Sequence, residues 1–313
     1  MNSKPFGFNE FISRNEDSKI SSRIKEELLK NLEYFDSKTK FHLLSRLHSA
    51  YPGKGYSFRI QEIIPDLEKN LKDQLSKCLL EKNPSSSLEG INLYSNLCNS
   101  YFPLGRNNLM YLIDSDLLEC ALKYLRKHFY TVMEKMLSEE KIIIGLPASA
   151  PRNLYYAKSS NLIEDNDILH LEKLLLDSSR KMYTEEKLKD KKIFDNYIYF
   201  LTHVILGELN FYTSKLLDPS PGIKEMIDYL EKNSERIIKE CSWDKVVEAG
   251  VCLKYCGRSS EVYKKAIKKI LNKRGIIGYG GPFKEKKDLS YREEMIQKEH
   301  SNVLAVLLFS DKN

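Results

Sequence analysis

The stretch IFDNYIYFLTHVILGELNF, residues 193–211, decides the fold class. As a helix it is apolar on nearly every face, and a helix of that kind is buried on most sides. The elements around it must then bury it. Those elements also show helical periodicity, so the stretch predicts an inner helix of an all-α protein.

The rest of the chain repeats this helical pattern. Ile24, Leu28 and Leu32 recur four residues apart, whereas the alternating runs typical of strands are hard to find. Breakers rich in Gly, Pro and Ser separate about a dozen helices, and no sequence repeat has a fixed period. We therefore expect antiparallel helix pairs in an (α/α) toroid or a curved helical-repeat arrangement.

The best candidate for a boundary is the segment 145–153, which carries two prolines and no helical period. The preceding Ile142, Ile143 and Ile144 are interpreted as a linker or a helix end. The sequence thus predicts an N-terminal helical region, residues 1–144, and a C-terminal region, residues 145–313, that carries the candidate site. One continuous domain remains the alternative.

Composition excludes several classes of protein. The 313 residues carry 50 Lys and Arg against 44 Asp and Glu, and a net charge of +6 spread over that mixture does not indicate nucleic-acid binding. No run approaches the roughly 20 apolar residues of a membrane span, and no signal-peptide core is present. The six cysteines suit reduced, buried thiols. We expect a cytoplasmic protein without a membrane partner.

One polar stripe crosses the apolar stretch. Asn196, His203 and Asn210 lie seven residues apart on one face, and Gly207 lies one turn after His203. One interpretation is a buried histidine bonded to a helix carbonyl or a neighbouring side chain, with Gly207 allowing tight helix packing. The other is a stripe facing a cavity, where the imidazole acts as a general base or binds a metal.

The last helix begins with a second histidine. His300, Ser301 and Asn302 lead directly into the apolar residues 303–309. This pattern fits an N-terminal helical turn in which Ser301 or Asn302 satisfies backbone amides. The alternative places His300 beside His203 in the same cavity.

A third segment combines charged residues and thiols. Asp244, Glu248, Cys252 and Cys256 follow a four-residue period, and the two thiols with His203 and His300 would suit tetrahedral zinc. Cysteine is also a routine small core residue, and no further cysteine pair supports a metal. We therefore predict no metal ligand, and the sequence identifies no cofactor.

Two further features have simpler interpretations. The glycine-rich loop 275–282 is expected to be an ordered turn, or otherwise the rim of the cavity. Six basic residues lie opposite Val262, Ala266 and Ile270 and are expected to form a solvated helix face: Lys264, Lys265, Lys268, Lys269, Lys273 and Arg274. We assign no role to His42, His48, His128 or His170.

The order of Tyr199, Thr202 and His203 on a buried helix, then a glycine-rich loop, then His300 and Asn302 resembles a family of uncharacterised all-α bacterial proteins found beside natural-product biosynthesis genes. The resemblance covers mainly the C-terminal half. It implies that Thr202, His203, His300 and Asn302 belong together.

The glycine-rich turn before an inward last helix also resembles (α/α) toroid enzymes such as terpene and lanthipeptide cyclases. The chain lacks their Asp-x-Asp-Asp motif and their Cys…Cys-His zinc set. Those two chemistries are therefore not expected.

Two functions follow from these patterns. The first is an enzyme that modifies a peptide or small metabolite in a biosynthetic pathway, with His203 and His300 as catalytic acid or base and Thr202 and Asn302 orienting them or the substrate. The second is a non-catalytic helical scaffold that binds a protein or peptide through its concave or lysine-rich face. The sequence leaves the choice and the oligomeric state open.

Overall fold

The structure is a computed structural model that describes residues 8–51, 54–274, 277 and 291–310. Within these residues the chain forms fifteen α-helices and no strand, which confirms the all-α class. Single residues separate some consecutive elements. Asn31 lies between the helix Phe8–Lys30 and the 3-10 turn Leu32–Tyr34, and Ile63 lies between the helices Tyr56–Glu62 and Ile64–Leu80. Pro65, which lacks a backbone N–H, stands in the first turn after one such break.

The helices, numbered in chain order, are as follows: α1 Phe8–Lys30, α2 Ser37–Ala50, α3 Tyr56–Glu62, α4 Ile64–Leu80, α5 Leu88–Arg106, α6 Ser115–Ser138, α7 Glu140–Gly145, α8 Ser149–Ser159, α9 Asp165–Met182, α10 Lys191–Glu208, α11 Pro221–Lys232, α12 Ser234–Glu240, α13 Trp243–Tyr255, α14 Glu261–Arg274 and α15 Tyr291–Phe309. Short 3-10 turns join several of them, including Leu32–Tyr34, Pro84–Ser86, Met110–Leu112 and Lys187–Lys189.

The chain divides into two compact units. Unit 1 contains residues 1–60 and 230–313, and unit 2 contains residues 61–229. The expected division between residues 144 and 145 therefore falls inside unit 2, where α7 and α8 both pack against α6 and α10. The interpretation of 145–153 as a segment without helical structure is wrong from Ser149 onward, because α8 begins there and buries Leu154 and Ala157.

Unit 1 is built around its last helix. α15 packs against α1, α2 and α13, and every residue from 301 to 310 is buried. Ser21 on α1 donates a hydrogen bond to the carbonyl oxygen of Val306 at 3.0 Å. At the end of α15, the Lys254 ammonium donates to the carbonyl oxygens of Leu307, at 2.8 Å, and Leu308, at 3.2 Å. A lysine thus satisfies carbonyl groups that a helix end leaves without intrahelical partners.

The α14 face differs from the expected one. Its buried residues are Tyr263, Ile267 and Leu271, whereas Val262 is half exposed, so the predicted apolar stripe through Val262 is wrong by one position. The buried face of α14 contains Tyr263 because this residue donates a hydrogen bond to the carbonyl oxygen of Leu230 and packs against Gly250.

The lysines of α14 are only partly a solvated face. Lys264 and Lys268 each lie 2.8 Å from a carboxylate oxygen of Asp17 on α1, and Lys268 also lies 2.9 Å from Glu16. The Asp17 side chain is buried, and its two lysine partners are mostly covered. Lys265 and Lys269 are exposed. Two of the six expected basic residues are therefore used to join α14 to α1.

Unit 2 encloses α10, the stretch that predicts the fold class. Nearly all of its residues from Ile198 to Leu206 are buried, and α10 packs against α7 and α8. Gly207 allows this contact, because a Cβ atom there would lie 2.0 Å from Cδ2 of Tyr155 on α8. The glycine therefore makes room for a tyrosine ring, in agreement with the tight-packing interpretation.

Within the described residues, no helix has the length and apolar character needed to cross a membrane.

Candidate functional site

Two histidines meet in unit 1. His300, on the first half of α15, lies with Nδ1 3.3 Å from Nε2 of His42 on α2. The ring centroids are 5.1 Å apart and the ring planes are inclined by 44°. The side chains of His42 and His300 are 27% and 31% exposed, so part of each reaches solvent.

A carboxylate continues this pair. Oε1 of Glu299, whose side chain is 5% exposed, lies 3.0 Å from Nδ1 of His42. When Glu299 is ionised it only accepts hydrogen bonds, so His42 donates from Nδ1 and its Nε2 becomes an acceptor. His300 then donates from Nδ1 to His42. With these two hydrogen bonds in place, Nε2 of His300 carries no proton and has a free electron pair.

A second carboxylate faces that free nitrogen. Oε1 of Glu248, on α13, lies 3.9 Å from Nε2 of His300, and the Glu248 side chain is 1% exposed. The distance is too long for a hydrogen bond. Nε2 of His300 is itself buried and has no hydrogen-bond partner in the described part of the chain.

Burial shifts the pKa values of this cluster in a consistent way. It lowers the pKa of His300 to about 3, and the neighbouring His42 and Arg46 side chains act in the same direction. It raises the pKa of Glu299 to about 7, against the opposing effect of His300 and Arg46. His300 is therefore neutral at pH 7, so its contact with Glu248 is not an ion pair there.

The arrangement can move a proton. A proton taken up at Nε2 of His300 makes an imidazolium that can release its Nδ1 proton to Nε2 of His42. His42 can in turn release its Nδ1 proton to Glu299, the group with the higher pKa. The three side chains form a hydrogen-bonded path that ends on a buried carboxylate.

The predicted residues His203 and Thr202 lie in unit 2. Both bond to the same backbone group: Nδ1 of His203 donates to the carbonyl oxygen of Tyr199 at 3.0 Å, and Oγ1 of Thr202 donates to it at 3.1 Å. The His203 ring also meets the Tyr199 ring edge-on, with centroids 4.3 Å apart. The geometry corresponds to the first interpretation of His203, a buried histidine bonded to a helix carbonyl.

Asn302 binds backbone rather than a histidine. Its Oδ1 accepts from the backbone N–H of Ile277 at 2.9 Å, and its Nδ2 donates to the Ile277 carbonyl at 3.1 Å and to the Lys298 carbonyl at 2.7 Å. The asparagine thus fastens residue 277 to α15. The rest of the glycine-rich loop, including the Gly278–Gly281 part expected at the cavity rim, lies outside the described residues.

The two predicted histidines belong to different units, each with its own partners, and their shared role stays a prediction. Cys252 and Cys256 are buried among apolar residues of α13, and burial raises the pKa of both thiols. Among the residues that the structure describes, no group of three or more His, Cys, Asp and Glu side chains is arranged to hold a metal ion.

The sequence patterns did not reveal His42, Glu248 and Glu299 as members of the site. Glu248 carried a usable signal, because it is a charged residue inside the apolar run 246–253 and a buried charge needs a partner. Glu299 directly precedes the predicted His300. His42 carried no such signal, because its partners lie 257 and 258 residues away.

Comparison with known proteins gives one family. The model of a family described as "Domain of unknown function (DUF3541)" matches residues 121–312, more than half of the chain. Neither the curated proteins nor the solved structures contain a match. The matched region begins in α6 and includes α13 and α15, and with them Glu248, Glu299 and His300. The chain therefore belongs to the DUF3541 family.

Proposed function

We propose that unit 1 carries a general acid–base site in which His300 exchanges a proton with a bound peptide or small metabolite. The supporting observation is Nε2 of His300, which is buried without a hydrogen-bond partner while Nδ1 of the same ring is engaged by His42. A histidine that serves stability alone usually has both nitrogens satisfied, because an unpaired buried polar atom costs about 1–3 kcal/mol. A free, oriented electron pair is the form that a general base requires.

The proton balance of the proposed step is simple. An X–H bond of the substrate breaks, its electron pair stays on X, and the proton moves to Nε2 of His300. Transfer through His42 then places one proton on Glu299 and returns both rings to their neutral forms. The reverse sequence delivers a proton, so the same groups serve as general acid or general base.

The proposal extends to the C-terminal residues that the sequence motifs single out. It also includes catalytic roles for Thr202, His203 and Asn302, an (α/α) toroid or helical-repeat arrangement, and a cytoplasmic role in natural-product biosynthesis. They derive from the patterns and from the resemblance described above.

The scaffold alternative has less support. Its lysine-rich binding face loses Lys264 and Lys268, which pair with Asp17 on α1. A scaffold also gives no reason for a buried carboxylate and two imidazoles bonded in series, since a half-satisfied buried polar network destabilises a fold that an apolar core would stabilise.

The test compares variants of the purified full chain. Each is incubated with a desalted extract of small metabolites and short peptides from the source cells, and consumption is followed by liquid chromatography and mass spectrometry. We expect His300→Gln to slow the consumption seen with the wild type by about 100-fold or more, the usual range of a lost general base. His170→Gln, on the exposed side of α9, is the matched control and keeps the wild-type rate.

Two outcomes overturn the proposal: an extract left unchanged by the wild-type chain, or equal consumption by wild type and a folded His300→Gln. Circular dichroism checks that each variant is folded. A His203→Gln variant tests the predicted catalytic role of His203 separately. Loss of turnover with the fold intact supports it, and retained turnover assigns the chemistry to unit 1 alone.

A further inference from the structure

The hydrogen bonds that join Glu299, His42 and His300 can run in either of two directions. With Glu299 ionised, both rings hold their proton on Nδ1, and Nε2 of His300 accepts. With Glu299 protonated, its O–H donates to Nδ1 of His42, Nε2 of His42 donates to Nδ1 of His300, and Nε2 of His300 carries a proton. The first direction makes His300 a base, and the second makes it an acid.

One proton separates the two directions. When the first changes to the second, an O–H bond forms on Glu299, the Nδ1–H bonds of both rings break, and an Nε2–H bond forms on each ring. Both rings are neutral before and after the change. The carboxyl group and the two rings therefore change together at one pH, which belongs to the path as a whole.

Arg46 is a cation that α2 holds beside this path. It lies one turn after His42, and its Nη1 donates to the carbonyl oxygen of His42 at 3.2 Å. Oγ of Ser45 donates to the same oxygen at 3.1 Å. The half-buried guanidinium is always charged, and this charge acts on both Glu299 and the His300 ring. It therefore stabilises an ionised Glu299 relative to a protonated one.

We infer that Arg46 is a positioning residue of the acid–base site, which favours the direction that leaves Nε2 of His300 free to accept a proton near neutral pH. The inference rests on the proposed function, because that function uses the same ring nitrogen. Burial raises the pKa of Glu299 to about 7, and Arg46 acts against this rise. Without the guanidinium, the carboxyl group would keep its proton at neutral pH, and His300 would present an N–H group in place of a free electron pair.

Asp36, at the start of α2, acts in the opposite sense. It is exposed, and its Oδ1 caps the helix by accepting from the backbone N–H of Thr39 at 2.7 Å. Its negative charge raises the pKa of Glu299. The same helix thus carries one charge that favours each direction, and the half-buried Arg46 is less screened by solvent than the exposed Asp36.

The remaining charges near the path lie on α13 and α1. On α13, Asp244 acts on the His300 ring, and Oε1 of Glu248 lies 3.9 Å from its Nε2. On α1, Asp17 pairs with two lysines of α14, and Glu27 is bonded to the residue that follows the helix. These groups are the same in every variant compared below, so a difference between variants reports on the charges of α2.

Long-range ¹⁵N–¹H correlation spectra of the full chain test the inference between about pH 5 and about pH 9. They measure the pH at which His42 and His300 exchange Nδ1–H for Nε2–H, and we expect both rings of the wild type to change together at about pH 7. Arg46→Gln should raise this midpoint by about one pH unit, a tenfold gain in proton affinity. Arg46→Lys restores the charge and should return the midpoint towards the wild-type value.

Asp36→Asn makes the complementary change. Asparagine caps a helix as well as aspartate does, so α2 keeps its cap while one negative charge is removed, and the midpoint should fall. Asp114→Asn alters the equivalent cap of α6 in unit 2, where Oδ1 of Asp114 accepts from the backbone N–H of Leu117 at 2.8 Å. This matched control should leave the midpoint unchanged.

The inference is wrong if Arg46→Gln leaves the midpoint unchanged or lowers it, or if Arg46→Lys behaves like Arg46→Gln. A midpoint that rises in Asp36→Asn contradicts the electrostatic argument in the same way. Should Arg46→Gln fail to fold, Arg46→Met takes its place, because it keeps the apolar stem of the side chain without the charge.

Turnover separates this failure from failure of the proposed function. If the wild type consumes a metabolite and His300→Gln does not, an unmoved midpoint in Arg46→Gln overturns the role of Arg46 alone. If the midpoint moves as expected but the wild type consumes nothing, the proposed function is wrong, and the effect of Arg46 on the direction of the path stands.

Discussion

His42 and His300 are 258 residues apart in the chain, and their nearest ring nitrogens are 3.3 Å apart in unit 1. Two neutral imidazoles at this distance are joined by one hydrogen bond. The ring that donates in this bond determines which nitrogen of each ring carries a proton. Glu299, on the far side of His42, orients that choice by accepting from Nδ1 of His42.

The first prediction concerns tautomers. At pH values where Glu299 is ionised, we expect His42 and His300 each to carry their proton on Nδ1. A solvent-exposed histidine such as His170 should instead show both the Nδ1–H and the Nε2–H tautomer. Long-range ¹⁵N–¹H correlation spectra report the protonated nitrogen of each ring. A His300 ring protonated on Nε2 would contradict the path described above.

The second prediction concerns the dependence of stability on pH. The unfolded chain has ordinary pKa values of 4.5 for Glu299 and 6.5 for His300, and the folded chain has about 7 and about 3. Between pH 4.5 and 6.5 each state therefore holds one proton on this pair, on Glu299 when folded and on His300 when unfolded. The pair then adds no slope to the free energy of unfolding in this range.

Single variants remove that compensation. In Glu299→Gln the remaining group is His300, which is protonated in the unfolded chain but not in the folded chain between about pH 6.5 and 3. The free energy of unfolding therefore falls as pH drops through this range, by at most about 1.4 kcal/mol per pH unit. In His300→Gln the remaining group is Glu299, which stays protonated in the folded chain after it has lost its proton in the unfolded chain. The free energy of unfolding therefore falls as pH rises from about 4.5 towards 7. Urea unfolding, followed by fluorescence of Trp243 in unit 1, measures both slopes. Slopes of the same sign in the two variants would refute this account.

The third prediction concerns packing in unit 2. In Gly207→Ala the added methyl group meets the Tyr155 ring at 2.0 Å, so α8 and α10 must move apart. We expect a loss of about 1–3 kcal/mol in the free energy of unfolding, the usual cost of overpacking. Gly145→Ala, where an added Cβ has no atom within 4 Å, is the matched control for urea unfolding followed by circular dichroism. Equal free energies of unfolding for the two variants would show that α8 and α10 accommodate the added methyl group without loss of stability.

The fourth prediction concerns the end of α15. Lys254→Met keeps the aliphatic stem of the side chain but leaves the carbonyl groups of Leu307 and Leu308 without their ammonium donor. We expect a loss of about 2 kcal/mol, because both buried carbonyl groups lose a charged donor and, among the described residues, Leu307 keeps only the hydrogen bond from Oγ of Ser310. Lys265→Met, on the exposed face of α14, should change stability by less than about 0.5 kcal/mol. Trp243 fluorescence during urea unfolding compares them, and similar losses in both variants would exclude this role for Lys254.

The fold class was predictable because periodicity and burial are local properties. The apolar run in α10 and the apolar end of α15 are both buried as expected. Details that depend on a neighbour were not predictable. The stripe on α14 is set by the contacts of Tyr263 with α11 and Gly250, and the purpose of Gly207 is set by Tyr155, 52 positions earlier in the sequence.

The candidate site was half predictable for the same reason. His300 stood out as a polar residue shortly before the apolar run 303–309, although α15 begins nine residues earlier, at Tyr291. Its partner His42 lies in an ordinary amphipathic helix, α2, and no local pattern connects residues so far apart in the chain. Only the folded arrangement reveals the pair.

The composition of unit 1 from the two ends of the chain determines when the site can form during synthesis. His42 emerges from the ribosome 257 residues before Glu299, and at roughly 5–20 residues per second α1 and α2 wait on the order of tens of seconds for α15. Residues 61–229 of unit 2 are complete well before that moment. The contacts of His42 with Glu299 and His300 therefore form only as synthesis of α15 ends, so a chain released early would contain His42 and all of unit 2 without its two partners.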